Sequence, residues 1–156
     1  MNKKVYQLDE ARTKMERYCV YQERCHYEVE MKLREMQLIT EAVEQILLHL
    51  IENDFINETR FARAFARGKF SIKKWGRNRI TNELKKRKIS AYNINLALQE
   101  IDDSDYIITL DSLAEKRLKQ ITEKDKYKKR KKLADYLLYR GWESDLVYEK
   151  TISLVP

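Results

Sequence analysis

The chain has 156 residues, of which 43% are hydrophobic and 37% are charged, and 32 basic against 25 acidic residues give it a net charge of +7. This hydrophobic share is enough for a packed core and excludes a disordered basic tail. Three glycines and one proline are too few for the many turns of a β-sandwich or a doubly wound sheet, so the composition predicts an all-α protein.

The N-terminal segment has no apolar region behind its lysines, so residues 1–6 are predicted to be a tail and not a secretory signal. No run along the chain approaches the roughly 18 apolar residues that a membrane-spanning helix needs. Cys19 and Cys25 lie on different faces of a helix, which argues against a disulfide framework. These features together predict a cytoplasmic protein.

An apolar spacing of 4, 5 and 5 residues occurs three times along the chain. Its first two positions lie one helical turn apart, the third bridges a turn, and the fourth lies in the next helix. The repeat therefore predicts that its second positions are equivalent and buried. The positions are Val29, Leu33, Leu38 and Val43, then Ile80, Leu84, Ile89 and Ile94, then Leu133, Leu137, Trp142 and Val147.

Each occurrence is preceded by one more amphipathic segment, the last of which places Ile108, Leu110 and Ala114 among its apolar residues. The predicted fold is three tandem three-helix repeats in an elongated, curved array, over residues 7–52, 57–102 and 104–153. Units this small are expected to share apolar surface with their neighbours. Gly141 is predicted as a left-handed helix end. The predicted N-caps are Thr40, Ser90 and Ser144.

Positive charge is concentrated in residues 60–88, the central basic segment, with twelve basic residues and one acid, a net charge of +11. Residues 1–57 carry a net charge of −3, from 8 basic and 11 acidic residues. A field focused in this way favours binding to a polyanion, because counterions are released from the phosphates. A solvated helix face is the alternative interpretation. The density of charge favours nucleic acid or a complex that contains it.

Trp75, in a lysine-rich loop of this segment, can either pack against a residue such as Ile80 or stack on a base, and packing is favoured. Arg60 lies close to Asp54 and Glu58 and is expected to form a local ion pair. The predicted phosphate contacts are Arg63, Arg67, Lys69, Lys73, Lys74, Arg77, Arg79, Lys85 and Lys86. Of these, Lys69, Lys73, Lys74, Arg77 and Lys86 are expected to be exposed and to face the phosphates of the partner.

Residues 124–132 form a second basic cluster, with seven basic residues and one acid, Asp125. A solvated helix end and a set of phosphate contacts are equally good interpretations of this cluster. The candidate contacts are Lys128, Lys129, Arg130 and Lys132.

The chain contains neither a Gly-x-x-x-x-Gly-Lys loop nor a Gly-x-Gly-x-x-Gly loop, so nucleotide hydrolysis has no motif support. Cys19, Cys25 and His26 lack a fourth zinc ligand and a paired-cysteine spacing. We therefore expect no catalytic residue, no metal and no cofactor, and a function other than that of an enzyme.

Residues 53–62, Trp75-Gly76 and the pattern Arg79-Ile80-x-x-Glu83-Leu84-x-x-x-Lys88-Ile89 resemble the RecX family of bacterial recombinase regulators. The resemblance extends over nearly the whole chain, from about residue 11 to residue 151. Weaker matching pieces are Tyr18-Cys19, Arg24-x-x-x-Glu28-Val29-x-x-x-Leu33 and Arg140-Gly141-Trp142.

This resemblance implies tandem three-helix repeats and a defined partner, the RecA recombinase filament on single-stranded DNA. It implies a regulator that lies along the filament groove and inhibits recombination and the recombinase's ATP hydrolysis. We also expect a monomer that does not act at a membrane. Family members often have proline where Arg77 stands and glycine where Lys88 stands. A left-handed residue other than glycine costs about 1 kcal/mol, so the helix before Lys88 is expected to end differently here.

Two other functions compete with this one. The first is binding to DNA or RNA without a recombinase, through a helix-turn-helix over residues 77–101. Residues 90–98 contain no basic residue, so the would-be recognition helix lacks groups that contact phosphates or read bases. The second is a scaffold that binds only protein.

Overall fold

The computed structural model describes residues 6–156, and over this range the chain forms helices and no strand. The all-α prediction is therefore confirmed. Residues 1–5 of the predicted tail lie outside the described residues. The helices are α1 (Leu8–Tyr21), α2 (His26–Glu35), α3 (Thr40–Glu52), α4 (Glu58–Ser71), α5 (Arg77–Lys86), α6 (Ala91–Leu98), α7 (Asp103–Leu118), α8 (Lys126–Tyr139) and α9 (Ser144–Leu154).

The helices pack mainly within consecutive groups of three. Helices α1 and α2 contact α3, helices α5 and α6 contact α4, and helices α7, α8 and α9 contact one another. Leu33, Leu84 and Leu137 are fully buried at matching places on the middle helix of each group, which confirms their predicted equivalence. We propose that each group is one structural repeat.

The buried apolar residues form two separate clusters. One lies in the first group and includes Met15, Leu33 and Leu50. The other extends through both the second and the third group and includes Leu84 and Leu137. The prediction that neighbouring units share apolar surface therefore holds for the second and third groups, whereas most buried residues of the first group pack among themselves.

The middle helix of each group ends in the same way. Gln37, Lys88 and Gly141 each follow the buried leucine by four residues, and their φ angles are 59°, 58° and 92°. The expectation that the helix before Lys88 ends differently is wrong. The next residue, Ile89, is buried and its N–H donates to the Leu84 carbonyl at 3.1 Å, so core packing holds Lys88 in the left-handed region.

The N-cap predictions are correct at one of three positions. The Ser90 hydroxyl accepts a hydrogen bond from the Asn93 N–H at 3.2 Å. Thr40 and Ser144 are wrong, because each is already the first helical residue. In all three groups the cap directly follows the third apolar position of the repeat, and the caps are Ile39, Ser90 and Glu143.

Helix α7 buries Leu110 and Ala114 as predicted, but not Ile108. Ile108 is 64% exposed, whereas Tyr106, Leu110 and Ala114 are buried. The buried face starts at Tyr106 because its ring packs against Trp142 of the α8–α9 connection, with the ring centroids 4.3 Å apart. Across residues 6–156, no helix is long and apolar enough to cross a membrane.

Candidate nucleic-acid interface

The α4–α5 connection and the α8–α9 connection meet through their backbones and form a joint between the second and third groups. The Gly76 N–H donates to the Arg140 carbonyl at 2.8 Å, and the Trp142 Nε1–H donates to the Lys74 carbonyl at 3.1 Å. A Cβ atom on Gly76 would lie 2.4 Å from the Gly141 carbonyl oxygen. Only glycine at position 76 permits this approach, so the joint holds the α4–α5 connection and the α8–α9 connection in a fixed arrangement.

Arg77 stabilises this joint from within. Its guanidinium pairs with Asp103 at 2.6 Å and Glu143 at 3.3 Å and lies 3.9 Å from the Tyr106 ring centroid. The Tyr106 hydroxyl donates to Glu143 and accepts from the Arg77 backbone N–H, and burial raises the pKa of Tyr106. The Arg77 side chain is only 28% exposed. The expectation that Arg77 is exposed toward a partner is therefore wrong, because its charge is used inside the protein.

Half of the cations in the central basic segment have carboxylate partners. Arg63 and Arg67 both pair with Glu100, each at 3.4 Å. Lys86 pairs with Glu83 at 3.2 Å. These ion pairs reduce the charge that predicted contacts on α4 and α5 can offer to a phosphate.

Two further arginines connect the first group to the second. Arg60 pairs with Glu23 at 2.7 Å and with Asp54 at 2.9 Å, so the predicted local ion pair with Asp54 is confirmed. Arg87 pairs with Glu83 at 3.0 Å and with Glu28 at 3.7 Å. Both arginines therefore hold the protein together.

The other half of these cations have no carboxylate at ion-pair distance within the described part of the chain. They are Lys69, Lys73, Lys74, Arg79, Lys85 and Lys88. Lys85 is exposed on α5, and the Lys88 ammonium lies 5.5 Å from the Tyr27 ring centroid. The first four lie at the end of α4, in the α4–α5 connection and at the start of α5, which all border the joint.

Arg140 joins these four cations from the other side of the joint. Its Nη1 donates to the Lys73 carbonyl at 2.8 Å, and it has no carboxylate partner among the described residues. In the sequence, Arg140 is marked only by its place in the Arg140-Gly141-Trp142 match. Because 67 residues separate it from Lys73, the sequence pattern does not show that the two residues lie together. We name the joint surface by its five residues: Lys69, Lys73, Lys74, Arg79 and Arg140.

Trp75 packs beneath this surface. Its ring meets Phe65 edge to face, with the centroids 6.3 Å apart, and it packs against the core cluster that contains Ile80. The Arg79 guanidinium covers the indole at 4.2 Å and the Lys69 ammonium lies 5.0 Å from its centroid. The favoured packing interpretation of Trp75 is therefore confirmed.

The second basic cluster lies at the opposite end of α8 from the joint, roughly 20 Å away at 1.5 Å per residue. Lys132 pairs with Glu123 at 3.4 Å, and Arg130 donates to the Val155 carbonyl at 2.6 Å. Lys128 is exposed and Lys129 is half-buried, and neither has an ion-pair partner in the described chain. The structure therefore keeps this cluster apart from the joint surface.

Both cysteines are buried, and neither belongs to a group of potential metal ligands within residues 6–156. Burial raises the pKa of Cys19 to about 11 and that of Cys25 to about 12. A thiol that stays protonated is a poor nucleophile and a poor metal ligand. The neighbouring His26 ring lies 3.7 Å from the Glu30 carboxylate.

Two models of one protein family match the groups that form the joint. The model described as "RecX, second three-helix domain" matches residues 57–98, and "RecX, third three-helix domain" matches residues 105–150. Together they cover more than half of the chain. The chain belongs to the RecX family.

Individual RecX proteins agree with this assignment. Regulatory protein RecX of Clostridioides difficile is 29% identical over 105 residues, which are 67% of this chain and 50% of that protein. Regulatory protein RecX of Clostridium acetobutylicum is 30% identical over 119 residues, which are 74% of this chain and 55% of that protein. The chain thus spans about half the length of these curated relatives.

Solved structures show the same fold. The crystal structure of RecX from Lactobacillus salivarius has a TM-score of 0.77 and 25% identity, covering 95% of this chain and 96% of that one. A second crystal structure of regulatory protein RecX has a TM-score of 0.82 over 94% of this chain and 73% of the other, at 24% identity. The tandem three-helix architecture is therefore that of RecX proteins.

Proposed function

We propose that this RecX-family chain binds the RecA recombinase filament on single-stranded DNA and inhibits its recombination and ATP hydrolysis. The observation that supports this most strongly is the joint surface, where five cations without carboxylate partners among residues 6–156 lie together in the two matched RecX domains. A DNA filament presents dense phosphate charge. Unpaired cations release counterions from those phosphates without first losing an internal ion pair.

The proposed regulator acts by binding and not by catalysis. Its cations are held by backbone carbonyls and aromatic rings, as in the Arg140–Lys73 and Lys69–Trp75 contacts, so they are positioned but not neutralised. Such contacts fix the position of a protein on nucleic acid without reading its sequence. The effect is therefore expected to be the same on filaments formed on DNA of different sequence.

The test is the rate of ATP hydrolysis by purified recombinase on single-stranded DNA as this chain is added. We expect the rate to fall as the chain saturates the filament and the chain alone to hydrolyse no ATP. A variant with Lys69→Gln, Lys73→Gln and Lys74→Gln should require a higher concentration for the same effect. An unchanged recombinase rate, with saturating chain, would contradict the proposal.

The competing helix-turn-helix function gains no support from the geometry. Helix α6 would be the recognition helix, but it contains no basic residue. Its exposed aromatic residue, Tyr92, has no cation over its ring among the described residues. Binding to bare duplex with an affinity equal to that for the filament would favour this alternative.

A further inference from the structure

The aromatic residue Tyr139, at the C-terminal end of α8, is exposed beside the joint surface. It is 75% exposed, so most of its ring is open to solvent. The Arg79 guanidinium lies 4.9 Å from its ring centroid and donates to its carbonyl oxygen at 3.5 Å. One face of the phenol ring is therefore positioned by an arginine, and the rest of the ring is open to solvent.

Arg79 is itself held between two aromatic rings. Its guanidinium is 4.2 Å from the Trp75 ring centroid on α5's N-terminal side and 4.9 Å from that of Tyr139 on α8. This stack crosses the joint, so Tyr139 is fixed relative to the second group as well as the third. A platform ordered before a ligand arrives loses less conformational entropy on binding.

The acidic residues closest in sequence to Tyr139 do not offset this charge. Asp135, one helical turn earlier, pairs with Lys131 at 2.7 Å, and Glu143 pairs with Arg77 at 3.3 Å. Arg140, the next residue along the chain, has no carboxylate partner within residues 6–156. The platform therefore combines an exposed aromatic face with uncompensated positive charge on the same surface.

We infer that Tyr139 is a stacking platform for an unpaired nucleobase of single-stranded DNA, with the flanking phosphates on Arg140 and Lys73. A flat base and its phosphates use the exposed ring and the cations at once, and aromatic platforms in a basic groove bind single strands in this way. In a duplex the bases are stacked on each other, so the platform selects single strands. This inference rests on the proposed function and names a nucleic-acid contact within it.

The experiment measures binding of the whole chain to a fluorescent oligothymidylate and to an abasic strand of the same length and phosphate number. We expect the wild type to prefer the strand with bases. Tyr139→Ala should weaken binding to oligothymidylate about ten-fold and leave binding to the abasic strand unchanged. Tyr139→Phe, which keeps the ring, should bind like the wild type.

The matched control is Tyr92→Ala, which removes a tyrosine that is 71% exposed on α6 and has no cation from residues 6–156 over its ring. It should leave both affinities unchanged. The slope of binding against salt should also be the same in Tyr139→Ala and in the wild type, since no phosphate contact is lost. Circular dichroism of Tyr139→Ala checks that its helix content is unaltered.

Three results would overturn the inference and leave the proposed function intact, provided that the chain still binds the recombinase filament. They are equal wild-type affinity for the two strands, no measurable wild-type binding to oligothymidylate, and a loss of affinity in Tyr139→Ala that is seen with the recombinase filament but not with oligothymidylate. The last of these would place Tyr139 against the recombinase protein. Failure of the wild type to bind the filament would instead contradict the proposed function.

Discussion

Two glycines illustrate how single positions determine this fold. Gly76 lies under the Gly141 carbonyl with no room for a side chain, whereas Gly68 lies within α4 and a Cβ atom there would meet nothing within 4 Å. In the interior of a helix, glycine is less favourable than alanine by roughly 0.5–1 kcal/mol. The same substitution is therefore expected to have opposite effects at the two positions.

Gly76→Ala should lower the free energy of unfolding by about 1–3 kcal/mol, because the new methyl group must displace backbone atoms of the joint. Gly68→Ala, the matched control, should raise it by roughly 0.5–1 kcal/mol. Urea denaturation followed by circular dichroism measures both changes. Equal effects of the two substitutions would show that the joint is not closely packed.

Lys88 occupies a backbone conformation that suits glycine better. Its φ angle is 58°, and a left-handed conformation costs a residue with a Cβ atom about 1 kcal/mol. Lys88→Gly should therefore stabilise the protein by up to about 1 kcal/mol, measured as a higher midpoint of urea denaturation. A lower midpoint would mean that the contact of the Lys88 ammonium with Tyr27 outweighs the backbone strain.

At the scale of helices, the apolar repeat was sufficient to predict that Leu33, Leu84 and Leu137 are buried on the three middle helices. The same repeat also places the caps directly after the third apolar position, but cap preference alone pointed one residue further, to Thr40 and Ser144. Side-chain preference is a weaker signal than the repeat, since residues such as Ile39 can stand at a cap when core packing fixes the turn.

Leu84 represents the buried leucines of the repeat. It is fully buried in the cluster that extends through the second and third groups. Leu84→Ala should lower the free energy of unfolding by roughly 2–5 kcal/mol, as other core truncations do. The control is Ile72→Ala, at a position that is 76% exposed, which should change it by less than about 0.5 kcal/mol. Similar losses in the two variants would contradict the repeat assignment.

At the scale of the whole molecule, the sequence predicted where positive charge is concentrated. It did not predict which of those cations lack a carboxylate partner among residues 6–156. Arg77 pairs with Glu143, 66 residues away, and Arg60 pairs with Glu23, 37 residues away. Such ion pairs depend on how the three-helix groups pack against each other, and the local sequence pattern does not reveal that packing. The same packing brings Arg140 and Tyr139 beside Lys73 and Arg79, and the charge pattern of residues 60–88 gave no reason to include them.

We propose that the joint surface binds the recombinase–DNA filament through phosphate contacts. The most direct measurement is the affinity of the chain for that filament at several salt concentrations, for the wild type and for Lys69→Gln/Lys73→Gln/Lys74→Gln. Each lost contact to a single strand lowers the slope of log affinity against log salt by about 0.7, so three lost contacts lower it by about 2.

The matched control removes three exposed cations of the first group, with Lys14→Gln, Arg17→Gln and Arg34→Gln. Helix content should be unchanged in both triple variants, because all six side chains lie at the surface or are only half-buried. We predict weaker binding and a smaller slope for the joint-surface variant, and wild-type values for the control. Wild-type affinity and wild-type slope in the joint-surface variant would contradict the claim and would mean that its charge only solvates the protein.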